Sequence, residues 1–293
     1  MKIIVTGSLG NISQPLTIEL VQQGHTVTVI SSKPEKQPDI EALGATAAIG
    51  SVEDADFLAA AFAGADAVYA MVPPSFTAPD SRAYYQRIGR AYAQAIRRAG
   101  VGRVVQLSSW GADLAAGTGI ILGSHDVEGI LSELADVAVT YLRPTSFYTN
   151  LYSFAGMIKG LGFMAANYGG DDKVAMVHPR DIAAAAAEEL TNAAATGHRV
   201  RYVSSDECTC NEAAHALGAA IGKPDLTWVT ISDAQMQENL VKNGVPAHLA
   251  TGIVELYASI HSGALGADYE RHKPAVMGKV KLADFAQEFA AAF

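Results

Sequence analysis

The sequence is poor in cysteine, in charge and in long apolar runs. Its only two cysteines, Cys208 and Cys210, are one residue apart. A structural zinc site needs about four ligands, and no further cysteine exists to join these two. They are expected to be reduced thiols near a strand end, in a reducing cytoplasm. Charged residues are 17% of the chain and hydrophobic ones 49%. That balance excludes a disordered chain and allows a large core. Lys and Arg number 21 against 30 Asp and Glu, a formal net charge of −9, and no Lys/Arg run occurs. Neither nucleic acid nor an anionic membrane surface is an expected partner. No apolar run approaches the ~20 residues of a membrane span. The N-terminus has no basic flank before a longer apolar stretch, so it does not read as a signal peptide.

What is present is an alternation. Residues 2–6, 26–30, 45–49, 67–72, 103–107 and 139–142 read as strands. Helical patterning falls between them at 12–23, 56–62, 80–99 and 124–134, with Gly24 and Gly100 closing two helices. Strands joined through helices are parallel, and apolar strands without alternation are covered on both faces. The predicted class is α/β, a Rossmann-like doubly wound parallel sheet. After Pro144 the pattern loosens. Strands are expected at 175–177, 201–203 and 226–229, helices at 181–190 and 211–222, and further helices up to His261. The expected division is a Rossmann domain over 1–150, with 174–203 returning to it. A smaller, mostly helical C-terminal subdomain then spans 151–173 and 204–293.

The turn after the first strand reads Gly7-Ser8-Leu9-Gly10-Asn11-Ile12-Ser13. Gly7 ends a strand and Gly10 opens a helix, whose N-terminus favours phosphate. Dinucleotide loops of this kind carry a third glycine for helix–strand packing, and Ser13 stands in its place. The stretch is either a cofactor loop or a structural turn, and its position after the first strand favours the loop. The second strand ends Ile30-Ser31-Ser32-Lys33, with no carboxylate before Glu35. Two hydroxyls and an ammonium suit a 2′-phosphate, so NADP(H) is expected over NAD(H). A plain polar turn before Pro34 is the other reading.

Further blocks follow in order: Leu107-Ser108-Ser109, His125-Asp126-Val127-Glu128, Tyr141 to Leu151 with its Arg143-Pro144, Phe147 and Asn150, and His178-Pro179-Arg180-Asp181-Ile182-Ala183. With the glycine loop, they resemble the NmrA-like branch of the atypical short-chain dehydrogenases/reductases. The likeness is to its quinone oxidoreductase and triphenylmethane reductase members, over nearly the whole chain. The resemblance implies a dinucleotide across the strand tips, touched by Gly7, Leu9, Gly10, Asn11 and Ile12. Ser31, Ser32 and Lys33 would surround the adenosine ribose, and Val52 would flank adenine. Met71, Val72 and Pro73 would run beneath. Ser108, His125, Thr145 and Phe147 would border the nicotinamide.

The chain departs from the superfamily at its catalytic Tyr and Lys, four positions apart on the helix after the fifth strand. Ile121 and His125 stand there. Tyr269 and Lys273 have the right spacing in the wrong place, and Pro274 biases Lys273 out of helix. Hydride transfer straight to a conjugated carbon needs no such pair. The expected function is therefore an NAD(P)H-dependent oxidoreductase, with NADPH preferred, acting on a quinone-like or dye-like small molecule. His125 and Asn150 are the candidate catalytic residues. Trp110, Tyr148, Tyr152 and Phe163, together with Phe147, are candidate pocket walls, at least half of which belong to the core. His125 otherwise reads as a helix-start residue, and Asn150 as a cap for the helix that follows. His178, at a strand tip before Pro179, reads as a surface-loop histidine ahead of one lining the cleft, Asp181 as structural, and Arg143 as an anchor for a carboxylate or carbonyls. The alternative function is a non-enzymatic redox sensor. The aromatic run 147–163 favours the enzyme. The chain is expected to be a monomer or a homodimer.

Overall fold

A computed structural model describes residues 1–75 and 77–293. The chain opens with β1 (Lys2–Val5), α1 (Ser13–Gln22), β2 (Thr26–Ser31), α2 (Gln37–Ala42), β3 (Thr46–Ile49) and α3 (Ala55–Phe62). β4 (Ala67–Ala70), α4 (Ser81–Ala99), β5 (Arg103–Leu107), α5 (Leu122–Ser132), β6 (Ala138–Pro144) and β7 (Ser146–Phe147) follow. Next come α6 (Ala155–Leu161), β8 (Met164–Ala166), β9 (Lys173–Val177), α7 (Pro179–Thr191), β10 (His198–Val203) and β11 (Asp206–Thr209). The chain closes with α8 (Cys210–Ala220), β12 (Trp228–Thr230), α9 (Asp233–Lys242), α10 (Ala247–His261), α11 (Ala267–Arg271) and α12 (Leu282–Ala292). Two compact units result. The first is Met1–Ala112, Gly123–Arg143 and Ile182–Arg201; the second is Asp113–Leu122, Pro144–Asp181 and Tyr202–Phe293.

The first unit carries a seven-stranded sheet in the order β10-β6-β5-β4-β1-β2-β3. The pairings from β3 through β2, β1, β4 and β5 to β6 are all parallel. The order reverses between β1 and β4, where such sheets open a crevice at the C-terminal ends of their strands. Ile3, Ile4 and Val5 have no exposed surface, as a strand covered on both faces requires. Val68, Ile88, Tyr92, Val104, Val127 and Leu131 join one core. The ends of α4 are chemically specified. Asp80 accepts the Ala83 N–H at 2.9 Å, and Gly100 takes the left-handed conformation, φ 66°, beyond the last turn.

The second unit holds a three-stranded sheet, β11-β9-β7, and a two-stranded one, β12-β8, with helices around them. Its aromatic core joins Tyr148 to Phe285, stacked at 5.2 Å, and Tyr152 to Phe289, stacked at 5.4 Å. Three features differ from the sequence reading. β9, expected to return to the large sheet, pairs antiparallel with β11 and parallel with β7. The cause is the turn after β10: the Ser205 N–H bonds the Met176 carbonyl and folds β11 back on β9. Residues 113–122 belong to the second unit because their 3-10 turn lies directly on α10. A Cβ at Gly119 would fall 1.9 Å from the Gly252 carbonyl oxygen. Helix α12 lies beyond the last helix expected from the sequence, although Phe285, Phe289 and Phe293 repeat at helical spacing.

Candidate cofactor-binding site

The loop after β1 is held from three sides. Gly7 has φ 92° and Ser8 φ 54°. A Cβ on Gly7 would lie 2.7 Å from Ser13 Oγ and 3.0 Å from the Met71 thioether, so only glycine fits. Ser13 starts α1, is buried, and its hydroxyl donates to the Thr6 carbonyl at 2.8 Å. The Thr6 hydroxyl accepts the Met71 N–H at 2.9 Å, which ties the end of β4 to that of β1. Tyr92 then donates to the Met71 carbonyl at 2.6 Å. Toward β2, the Ser8 N–H bonds the Ile30 carbonyl and the Ser8 hydroxyl donates to Ser31, both at 3.0 Å.

Ser31 is buried, and its hydroxyl also accepts the Lys33 N–H at 3.2 Å. Its hydrogen-bonding capacity goes into shaping the turn, while Ser32 and Lys33 are exposed. The first turn of α1 carries no acidic side chain, so nothing cancels the positive end of the helix dipole. Leu9, Gly10 and Asn11 form the exposed or half-exposed rim, and Ile12 is buried behind them. Val52 is half-buried against the core, and Met71 and Pro73 are half-buried on either side of the buried Val72.

At the far half of the sheet, Ser108 follows β5. It is buried, and its hydroxyl donates to Glu128 on α5. Arg143 on β6 grips the same carboxylate with two bonds, Nε to Oε1 at 2.9 Å and Nη2 to Oε2 at 2.7 Å. Arg143 is thus a carboxylate anchor, as the sequence suggested. His125 is half-buried one turn before Glu128, with Nδ1 2.8 Å from the Ala112 carbonyl. A carbonyl only accepts, so Nδ1 carries the hydrogen and Nε2 of the neutral ring has a lone pair. Trp110 is buried nearby in sequence, 6% exposed.

The match to known proteins decides the family. A model of NAD(P)H-binding proteins covers residues 7–193. The chain belongs to this NAD(P)H-binding family. It is 28% identical to an NAD(P)H azoreductase of Xenophilus azovorans, over 99% of both chains. It is 31% identical to a (4-alkanoyl-5-oxo-2,5-dihydrofuran-3-yl)methyl phosphate reductase of Streptomyces griseus, over 76% of this chain and 74% of that one. In fold it is similar to an NADPH-dependent quinone oxidoreductase of Escherichia coli, at TM-score 0.78 and 23% identity over 98% of each chain. A cradle closed to side chains, like that at Gly7, is the kind of surface that lets a pyrophosphate approach a backbone.

The remaining candidates lie in the second unit. Thr145 is buried, and its N–H bonds the Val203 carbonyl at 3.0 Å. Phe147, on β7, Tyr152 and Phe163 are half-buried. Tyr148 is corrected to a core residue. It has no exposed surface, stacks on Phe285 and donates to Asp206 at 2.9 Å. Asn150 is exposed within a 3-10 helix, and α6, which follows, has Phe154 at its N-cap with no side-chain cap. His178 is corrected too: it is buried rather than on a surface loop. Its Nδ1 accepts the Arg180 N–H at 3.1 Å, so Nε2 is the donor to Glu288 at 3.2 Å. Asp181 is structural, accepting from Ser205 and from the N–H groups of Lys279 and Val280.

Tyr269 and Lys273 both bind Glu207, at 2.7 Å each. Burial pushes the Tyr269 phenol up to about 12, the opposite of what a catalytic tyrosine needs. Glu128 is a functional candidate that only the fold reveals. A lone Glu on a helix carries no local signal of the Arg143 on β6 and the Ser108 after β5 that meet it. Among the described residues, no group of His, Cys, Asp and Glu is arranged to hold a metal ion. No helix among them is long and apolar enough to cross a membrane.

Proposed function

We propose that the protein is a cytoplasmic NAD(P)H-dependent reductase that prefers NADPH and reduces a small conjugated acceptor such as a quinone or an azo dye. The observation that carries this reading is the cradle at Gly7, closed to any side chain and followed by an acid-free helix start. Family membership and the named activities of the relatives support it. When bound, the reduced nicotinamide supplies a hydride to an electrophilic atom of the acceptor. The chain's own residues bind and orient. Gly7, Leu9, Gly10, Asn11 and Ile12 take the pyrophosphate. Ser32 and Lys33 face the 2′-phosphate, while Ser31 holds their turn. Val52, Met71, Val72 and Pro73 flank the adenosine half, and Ser108 serves the nicotinamide half.

No Tyr–Lys pair takes part in the proposed reaction. Ile121 has no proton to give, and Tyr269 is sealed in a core. His125 keeps Nε2 available to a ribose or acceptor hydroxyl. Phe147, Tyr152, Phe163 and Asn150, all in the second unit, are the proposed acceptor contacts. Two acceptor classes named among the relatives, an azo compound and a conjugated furanone, share a conjugated double bond. The test is a titration with NADPH and NADH, then turnover with quinones, azo dyes and unsaturated carbonyls, followed by absorbance of the reduced nicotinamide. Oxidation of NADPH by at least one class is expected. Tight NADPH binding without turnover across the panel would instead make the protein a redox sensor. Lys33→Glu is expected to lower the NADPH/NADH affinity ratio by roughly tenfold or more, about 1.4 kcal/mol; an unchanged ratio removes Lys33 from 2′-phosphate recognition.

A further inference from the structure

The Ser108–Glu128–Arg143 cluster has a direction built into it. An ionised carboxylate only accepts hydrogen bonds, and a serine hydroxyl has one hydrogen. The contact between Ser108 and Glu128 therefore spends that hydrogen. What Ser108 Oγ has left is lone pairs. Arg143 fixes the arrangement because its fork occupies both carboxylate oxygens, at 2.9 and 2.7 Å, and stops Glu128 from turning away. The Ser108 backbone is pinned as well, its N–H to the Leu142 carbonyl at 2.7 Å. All three side chains are largely buried, Arg143 at 8% and Glu128 at 12% side-chain exposure, and Ser108 at 6%. This is costly to assemble for a surface turn. Its product is one hydroxyl of fixed polarity at the end of β5.

The sheet says what that hydroxyl meets. The strand order reverses between β1 and β4, and a dinucleotide laid across that point puts one half over β2 and the other over β4 and β5. The Ser31–Ser32–Lys33 turn takes the adenosine half, so the nicotinamide riboside half faces Ser108. We infer that Glu128 and Arg143 are positioning residues that hold the Ser108 hydroxyl as a hydrogen-bond acceptor for an N–H or O–H donor on the nicotinamide riboside half of the cofactor. The inference rests on the dinucleotide reading above and sharpens it: Ser108 does not polarise an acceptor's carbonyl, because it has no hydrogen to offer one. The preferred acceptors are then those already electrophilic without such help.

The experiment measures, by titration calorimetry, the affinity of the full chain for NADPH and for 2′,5′-ADP, which lacks the nicotinamide riboside. Ser108→Ala is expected to weaken NADPH about tenfold, the scale of one hydrogen bond, and to leave 2′,5′-ADP unchanged. Glu128→Gln, which puts an amide N–H against Arg143 or Ser108, is expected to show the same NADPH-specific loss. If Glu128→Gln does not fold, Ser108→Ala decides alone. The 3-acetylpyridine analogue of NADPH lacks the carboxamide N–H. A Ser108→Ala penalty that vanishes with it assigns the donor to the carboxamide; one that persists assigns it to a ribose hydroxyl. Ser108→Ala binding NADPH as the wild type does, or losing NADPH and 2′,5′-ADP equally, overturns the inference. A wild-type chain that binds no NADPH is a different result, and it overturns the dinucleotide reading itself.

Discussion

Restoring the third glycine of the loop should make this protein worse. Ser13→Gly returns the sequence to the commoner dinucleotide pattern, yet the serine hydroxyl bonds the Thr6 carbonyl at 2.8 Å in a buried site. Losing that bond costs about 0.5–1.5 kcal/mol. Glycine in place of serine in the first turn of α1 adds roughly half a kcal/mol of backbone entropy. The sum is about 1–2 kcal/mol, a fall in melting temperature of roughly 2–6 °C for a chain of this size. Ser13→Ala removes the bond without the glycine and should account for most of the loss. Urea unfolding followed by circular dichroism, with unchanged slope, is the assay. A Ser13→Gly protein as stable as the wild type, or more so, would refute the argument that Ser13 is a working part of the loop.

Gly7→Ala should act on both stability and cofactor binding. The new Cβ meets Ser13 and Met71 at a φ of 92°, costing about 2–4 kcal/mol in clash and backbone strain, with NADPH affinity falling in parallel; a folded variant of normal affinity would contradict the cradle. Asp126 is gripped by Arg82 and Gln86, and the Arg82 hydrogen bond, ahead of every other cause, holds its carboxyl below the usual range. Its folded pKa is depressed, so its contribution is complete above the unfolded value near 4 and is lost as pH falls through the folded one. Asp126→Asn should flatten that acid limb in pH-dependent melts, and an unaltered limb counts against the linkage. Burial pushes the Cys208 thiol up to about 12 and raises Cys210 as well. Both should resist a thiol reagent near pH 8 in the native protein and label on unfolding; rapid native labelling would show the region opens.

Much of this was legible in the chain. β5 begins and ends where its β-branched run does, and α4 runs one residue short of the 80–99 span read from its pattern and final glycine. These are local signals: a strand's side-chain run, a cap and a breaker are written within a few residues. The loop at Gly7 was legible for the same reason. β9 was misplaced because a short apolar strand does not state its partner, and pairing is decided by what else folds beside it. Tyr148 and His178 were read with the wrong surroundings, since no local pattern distinguishes a pocket wall from a ring stacked on a helix over a hundred residues away.

The sequence by itself determined the parallel α/β sheet, the glycine cradle and the carboxylate-free end of β2, because each follows from residue types in short spans. Only the tertiary structure decided what Ser13, Ser31 and Ser108 do. A hydroxyl can donate or accept, and its partner settles which. Ser13 donates to a carbonyl seven residues before it in the chain, Ser31 is consumed by its own turn, and Ser108 gives its hydrogen to a glutamate held by an arginine from another strand. Those partners are brought together by folding, and the polarity of the site is set there.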